Sequence, residues 1–130
     1  MTDSIGDDAV LKDLTEKIIG CAYAVANGSG AGFLEKVYEN ALCAELRRAG
    51  LQVVQQFPIA VRWRGEVVGE YCADLFVEGA LIVELKAVKA VDEVHPAQCL
   101  NYLKATGLRV CLLLNFGRPQ VEIKRVILGY

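Results

Sequence analysis

No apolar run in this chain approaches the roughly 20 residues needed to cross a bilayer. Its opening, Met-Thr-Asp-Ser-Ile-Gly-Asp-Asp, has neither the basic end nor the apolar stretch of a signal peptide, so the chain is read as cytoplasmic. The five cysteines, at positions 21, 43, 72, 99 and 111, include no C-x-x-C pair and are scattered among apolar neighbours. That spacing argues against a metal or redox framework and for small core residues in a reducing compartment. Histidine occurs once, as His95 before Pro96, and reads as a helix cap or surface residue that could still contact substrate from the helix end. Basic residues are not in excess. The 14 Lys and Arg stand against 16 Asp and Glu, and a net charge of −2 excludes a surface that grips phosphates everywhere. Only local basic pairs remain, Arg47 with Arg48, Arg62 with Arg64, Lys86 with Lys89 and Lys124 with Arg125, each ordinarily a solvated edge. Repeats and low-complexity segments are absent as well.

What is present is apolar. At 130 residues and 54% apolar content the chain is long enough to bury one core, and it is expected to form a single domain over 1–130 with residues 1–7 flexible. Such a content is high for a monomer of this size and hints at a subunit interface. From about Asp8 to Ala26 apolar residues recur every three or four positions, which predicts a helix capped by Asp7 or Asp8. The run Asn27-Gly-Ser-Gly-Ala-Gly32 should break it. A second helix is expected from about Phe33 to Ala49, with Arg47 and Arg48 on its C-terminal dipole and Gly50 as a left-handed cap. Strands follow at about 51–56, 59–63, 67–77 and 81–87, with turns at Arg64-Gly65 and Glu78-Gly79. A helix from about Pro96 to Ala105 ends at Gly107, and strands at 109–115 and 121–128 close the chain. The order ααββββαββ, with one continuously apolar strand entered from a helix, predicts an α+β (α/β) fold: a mixed central sheet flanked by helices.

The stretch Asp74 to Lys86 carries the most chemical information. On a strand Glu84 and Lys86 share one face while Val83 and Leu85 point to the other. Whether Asp74 joins that face depends on parity. Opposed residues in an antiparallel pair have a constant sum, so Asp74 meets Glu84 only if the turn at Glu78-Gly79 has odd length, as in a type I turn with a glycine bulge. A plain two-residue hairpin would leave Asp74 on the other side and the charged pair on a wet surface. Two helices contribute further candidates. Glu35 and Tyr38, three apart, lie on one face of the second helix with Glu39 on the same side, although Glu35 alone would serve as a first-turn charge. Gln98 and Tyr102 lie one turn apart on the third helix, where an ordinary helix edge would explain them equally. Trp63, between two arginines, could stack on a base but is more readily explained by packing.

Taken together, Gly32-x-x-Glu35-x-x-Tyr38, Asp74, Glu84-x-Lys86, Gln98-x-x-x-Tyr102 and Asn115-Phe116-Gly117 resemble the motifs of the small bacterial and archaeal GxxExxY proteins. That family is placed in the PD-(D/E)XK nuclease superfamily, with its restriction-endonuclease-like fold, and the resemblance runs from about Asp13 to Ile127. Ala73 departs from the proline of the superfamily's name. The resemblance implies a Mg²⁺-dependent nuclease, with Mn²⁺ as a substitute, acting on DNA or RNA. Asp74 and Glu84 would hold the ion with the backbone carbonyl of Leu85, and Glu35 would add a carboxylate directly or through water. Lys86 would position or deprotonate the attacking water, and Gln98 and Tyr102 would orient substrate or Lys86. Tyr38 and His95 are further substrate-contact candidates. An all-oxygen ligand set favours Mg²⁺ over Zn²⁺. So small a chain carries no separate domain for gripping nucleic acid, which a homodimer or a larger partner complex would supply. The alternative is an inactive nuclease-fold module that binds nucleic acid or a protein.

Overall fold

A computed structural model describes residues 4–129, with side chains from Asp8 onward. The elements are α1 (Ser4–Ser29), α2 (Glu35–Arg48), β1 (Val53–Trp63), β2 (Glu66–Val77), β3 (Leu81–Lys86), α3 (Val94–Thr106), β4 (Val110–Asn115) and β5 (Glu122–Ile127). The five strands form one sheet in chain order, all neighbours antiparallel except β3 and β4, which run parallel around α3. The helices split between its two faces. α1 and α2 cover Leu75, Val77, Val83, Leu85, Leu112 and Leu114. α3 covers Ile82, Cys111 and Leu113 on the reverse. The expected mixed sheet flanked by helices is therefore what the chain builds. β4 is buried along its whole length, as a strand with helices on both sides must be.

Several boundaries differ from the sequence reading. α1 starts at Ser4, so Asp8 does not cap it; its carboxylate instead takes the guanidinium of Arg109. The side chain of Asp7 and the expectation for residues 1–3 lie outside the described residues. The glycine-rich run does not break α1 at Asn27. The helix continues to Ser29, whose hydroxyl donates back to the Val25 carbonyl at 2.6 Å, before Gly30 N–H closes on Ala26 O at 3.0 Å. α2 ends as expected: Gly50, at φ 87°, donates to Arg47 O and Leu51 N–H reaches Leu46 O, a Schellman arrangement that any side chain at Gly50 would strain. The two strands expected at 51–56 and 59–63 are one, so the order is ααβββαββ. Pro58 is accommodated because β1 is an edge strand. Of the five cysteines four are buried, while Cys72 is exposed on β2.

The carboxyl ends of β3 and β4 are joined by one buried side chain. Asn115 accepts from the N–H groups of Val88 and Gly117 at 3.0 Å each, and donates to Val88 O at 2.9 Å and Glu122 Oε1 at 3.1 Å. Phe116 N–H donates to Lys86 O at 2.8 Å, and the Phe116 ring stacks on Tyr38 at 4.9 Å. Gly117 lies so close to this strand that a Cβ would sit 2.2 Å from Val88 O and 2.7 Å from Ala87 C. Backbone cannot yield as a side chain can. Gly117→Ala is expected to destabilise the fold by about 2 kcal/mol or more, measured by urea denaturation. A change below about 0.5 kcal/mol would show that this junction is not under steric constraint.

Candidate active site

The turn between β2 and β3 decides the parity question. Leu75 pairs with Val83, Phe76 with Ile82 and Val77 with Leu81, so the sum is even and Asp74 falls opposite Glu84. The loop has three residues, Glu78, Gly79 and Ala80. Its conformation is not the expected type I turn. Glu78 and Gly79 are both left-handed, at φ 55° and 63°, as in a primed turn, and Ala80 is the extra residue. Glu78 is held in that conformation from outside: its N–H donates to Gln52 O at 2.8 Å, and its carboxylate accepts from Gln52 N–H at 2.6 Å.

Beyond Leu75 the β2–β3 ladder gives way to side chains. Asp74 N–H donates to Glu84 Oε1 at 2.9 Å, and Leu85 N–H donates to Asp74 Oδ2 at 2.8 Å. Each carboxylate thus satisfies a backbone donor of the opposite strand, and the two strands part around a buried acidic pair. Glu84 is only 4% exposed. Burial, then the charge of Asp74, pushes the Glu84 carboxyl up to about 9. Asp74 is raised too, mainly by burial, which outweighs the Leu85 N–H and a Gln56 contact that favour its ionised form. Lys86 shares the face of Glu84 and is half-buried, and its ammonium makes no ion pair among the described residues.

Glu35 opens α2, half-buried. Burial raises its carboxyl, Lys86 opposes that and Asp74 adds to it, so the group lies within the field of the pair. Among the described residues no three His, Cys, Asp or Glu side chains stand as a ready set around one point. Tyr102 is buried on α3 and its hydroxyl donates toward Cys72 O at 3.5 Å. Burial, then the charges of Glu84 and Asp74, hold that hydroxyl protonated. Gln98 is half-buried one turn earlier on α3, and its amide makes no hydrogen bond among the described residues. His95 has a buried Nδ1 with no hydrogen-bond partner, 3.9 Å from Asp92 Oδ1. Tyr38 does not face a substrate. Its ring is buried and its hydroxyl donates to Gly30 O at 2.7 Å and accepts from Phe33 N–H, tying the glycine loop to α2.

The sequence reading missed the network behind Asp74. Glu39, 2% exposed, accepts from Lys36 Nζ, Gln55 Nε2 and Gln56 Nε2, each at 2.9 Å. Gln55 and Gln56 should point to opposite faces of a strand. They converge because Gln56, directly opposite Asp74, is left-handed at φ 53°. Such backbone costs about 1–3 kcal/mol in a non-glycine residue and persists only where surrounding contacts enforce it. Nothing in the pattern Gln-Gln-Phe-Pro marks the inversion.

A family model described as the PD-(D/E)XK nuclease superfamily matches residues 12–126. The chain belongs to that superfamily. Among solved structures, it is similar to the crystal structure of SSO0001, with a TM-score of 0.57 and 13% identity over 73% of this chain and 50% of the other. It is also similar to the alkaline exonuclease LHK-Exo of Laribacter hongkongensis, with a TM-score of 0.54 and 13% identity over 84% of this chain and 68% of that one. At these identities the likeness is one of fold, and the chain spans half the length of SSO0001. A search of the curated proteins found no match. PD-(D/E)XK nucleases generally use divalent metal ions. The fork fits such an ion chemically: one buried and one half-buried carboxylate, whose charged forms repel each other, present oxygen ligands alone, the donor type of a hard cation.

The raised Glu84 carboxyl has a testable sign. The unfolded chain releases this proton near its ordinary value of 4.5, whereas the folded chain keeps it until about 9. Stability is fully present below 4.5 and is lost as pH rises through that window. In EDTA, Glu84→Gln is expected to flatten the fall of urea-unfolding free energy between those two pH values and to exceed the parent by about 1 kcal/mol or more at the alkaline end. Parallel pH profiles would show that Glu84 ionises normally.

Proposed function

We propose that this chain is a Mg²⁺-dependent nuclease that hydrolyses phosphodiester bonds in DNA or RNA, of the GxxExxY branch of its superfamily. The observation that carries the reading is the β2–β3 fork, where the buried Glu84 carboxyl, the half-buried Asp74 carboxyl and a lysine with no ion pair among the described residues share the carboxyl end of β3. Asp74 and Glu84, with the Leu85 carbonyl, would hold the ion, and Glu35 would act through water. A divalent ion bound there supplies Lewis-acid stabilisation of the phosphate and a water of lowered pKa. Mn²⁺ would substitute, since the ligands are all oxygen.

The remaining groups have roles set by their positions. Lys86 positions the attacking water or takes its proton, and its ammonium stabilises charge growing on the phosphate. Its strand is held from behind by the Phe116 N–H on Lys86 O and by the Asn115 amide on Val88. Tyr102, with its proton retained, and Gln98 orient substrate or the lysine from α3, and His95 approaches from the start of that helix. Gln56, poised between Glu39 and Asp74, is a positioning residue. A second copy of the chain or a larger partner would add to the grip on nucleic acid.

Labelled single-stranded DNA, duplex DNA and RNA incubated with Mg²⁺ or Mn²⁺ test this directly, with EDTA as the blank. The parent is expected to cleave at least one of them. Glu84→Ala and Lys86→Ala, with folding checked by circular dichroism, are expected to lose about 100-fold or more in rate. Equal activity in all three proteins would remove the site from consideration, and no cleavage of any substrate would favour an inactive binding module.

A further inference from the structure

The β1–β2 ribbon outruns the rest of the sheet. β2 pairs with β3 only over Leu75–Val77, so its earlier residues are bonded to β1 alone. The ribbon leaves Trp63 65%, Val68 61% and Tyr71 41% exposed, so the tryptophan is not the packed residue its sequence context favours. Between ribbon and α3 runs a groove of about 520 Å³, whose polar lining is Arg62, Tyr71, Asn101 and Lys104. Its walls hold two cations and no carboxylate, in a chain whose net charge is −2. Arg62 spends one N–H on Gly65 O at 3.3 Å and keeps the rest of its donors.

The groove leads to the fork. The Tyr71 ring lies 5.6 Å from that of Tyr102, which packs one of its faces and leaves the side chain partly open. Tyr102 in turn senses Glu84 and Asp74. Tyr71 precedes Asp74 by three residues, about 10 Å along a strand. A few nucleotides of one strand span that distance. A duplex would demand more phosphate contacts than two cations provide, whereas one strand with unstacked bases needs a few cations and an aromatic platform.

We propose that this groove seats the single-stranded flank of the nucleic-acid substrate, with a base stacked on Tyr71 and phosphates held by Arg62 and Lys104. The assignment rests on the nuclease reading. It makes unpaired bases beside the cut, rather than duplex sequence, the feature the protein selects. Asn101 adds an amide to the lining of the groove. Trp63, with Arg64 lying 5.5 Å over its ring, caps the far end of the ribbon.

The test is metal-free binding in EDTA of a fluorescein-labelled oligothymidylate of about 12 nucleotides and of a duplex of equal length, read by anisotropy across salt. Tyr71→Ala is expected to weaken single-strand binding about 5- to 100-fold, with Tyr71→Phe close to the parent. Arg62→Ala and Lys104→Ala should each make the slope of log K against log salt shallower by about 0.7, while Arg125→Ala on β5, at the opposite edge of the sheet, leaves binding at this groove unchanged. Unchanged affinity and slope in the groove variants would overturn the proposal, as would equal losses for duplex and single strand. A parent that cleaves while its groove variants bind normally leaves the nuclease reading standing and removes this one. A parent that neither binds nor cleaves removes both. If Tyr71→Ala instead changes only the sedimentation behaviour, the ribbon is a contact between two copies of the chain and the proposal fails.

Discussion

The site depends on an exchange of hydrogen bonds between β2 and β3. Where the ladder would continue past Leu75 and Val83, the donors of Asp74 and Leu85 turn to carboxylates of the opposite strand. A buried N–H must have a partner, and here the partner is a carboxyl side chain. The strands can therefore separate without orphaning their backbone. Structure and charge are supplied by one pair of residues, so neither carboxylate can be removed without opening the ladder as well.

That pair is held from two directions. On the β1 side, the left-handed turn of Gln56 brings two consecutive glutamines onto Glu39, and Gln56 also meets Asp74. On the β4 side, Asn115 ties the chain beyond Lys86 to the end of its parallel neighbour, and the absence of a side chain at Gly117 lets the two backbones meet. Tyr38, stacked on Phe116 and bonded to Gly30, connects this junction to the start of α2, where Glu35 stands. The motif residues flanking the acidic pair thus act largely through placement. Tyr38 and Asn115 are buried, and their polar atoms are bonded to backbone of neighbouring elements.

Alternation and turn length made much of the fork legible in the sequence. A period of two fixes Glu84 and Lys86 on one face, and the odd loop at Glu78 to Ala80 brings Asp74 to them. Apolar periodicity likewise located the first two helices, Pro96 and Gly107 bounded the third, and the almost continuously apolar stretch from Arg109 to Asn115 located β4. What stayed hidden depends on geometry that side-chain type does not encode. Pro58 suggested two strands where one exists, Gln56 has no intrinsic preference for φ 53°, and Glu39 was placed on its helix face without its partners, which lie up to 17 residues away. The position of Trp63 was misjudged for a related reason. A strand tryptophan usually packs, but β3 is too short to extend the sheet beneath this part of the ribbon.

Burying two carboxylates side by side works against folding, and the direction of both shifts says so. The fold retains the arrangement because helices and sheet already bury enough apolar surface on both faces to absorb it. The consequence is a pre-positioned acceptor set. Each carboxylate is anchored by a backbone N–H, so little side-chain entropy would remain to be lost if a cation replaced the proton, as the proposed function requires. Metal binding would then compete with protonation of Glu84 and tie affinity to pH more steeply than for an exposed carboxylate. Lys86 adds positive charge at the same place without forming a fixed ion pair. It offsets the field of the acids only in part, so in the proposed nuclease the fork would still attract a small hard cation while its ammonium, without an ion pair among the described residues, would meet the negative charge of a phosphodiester.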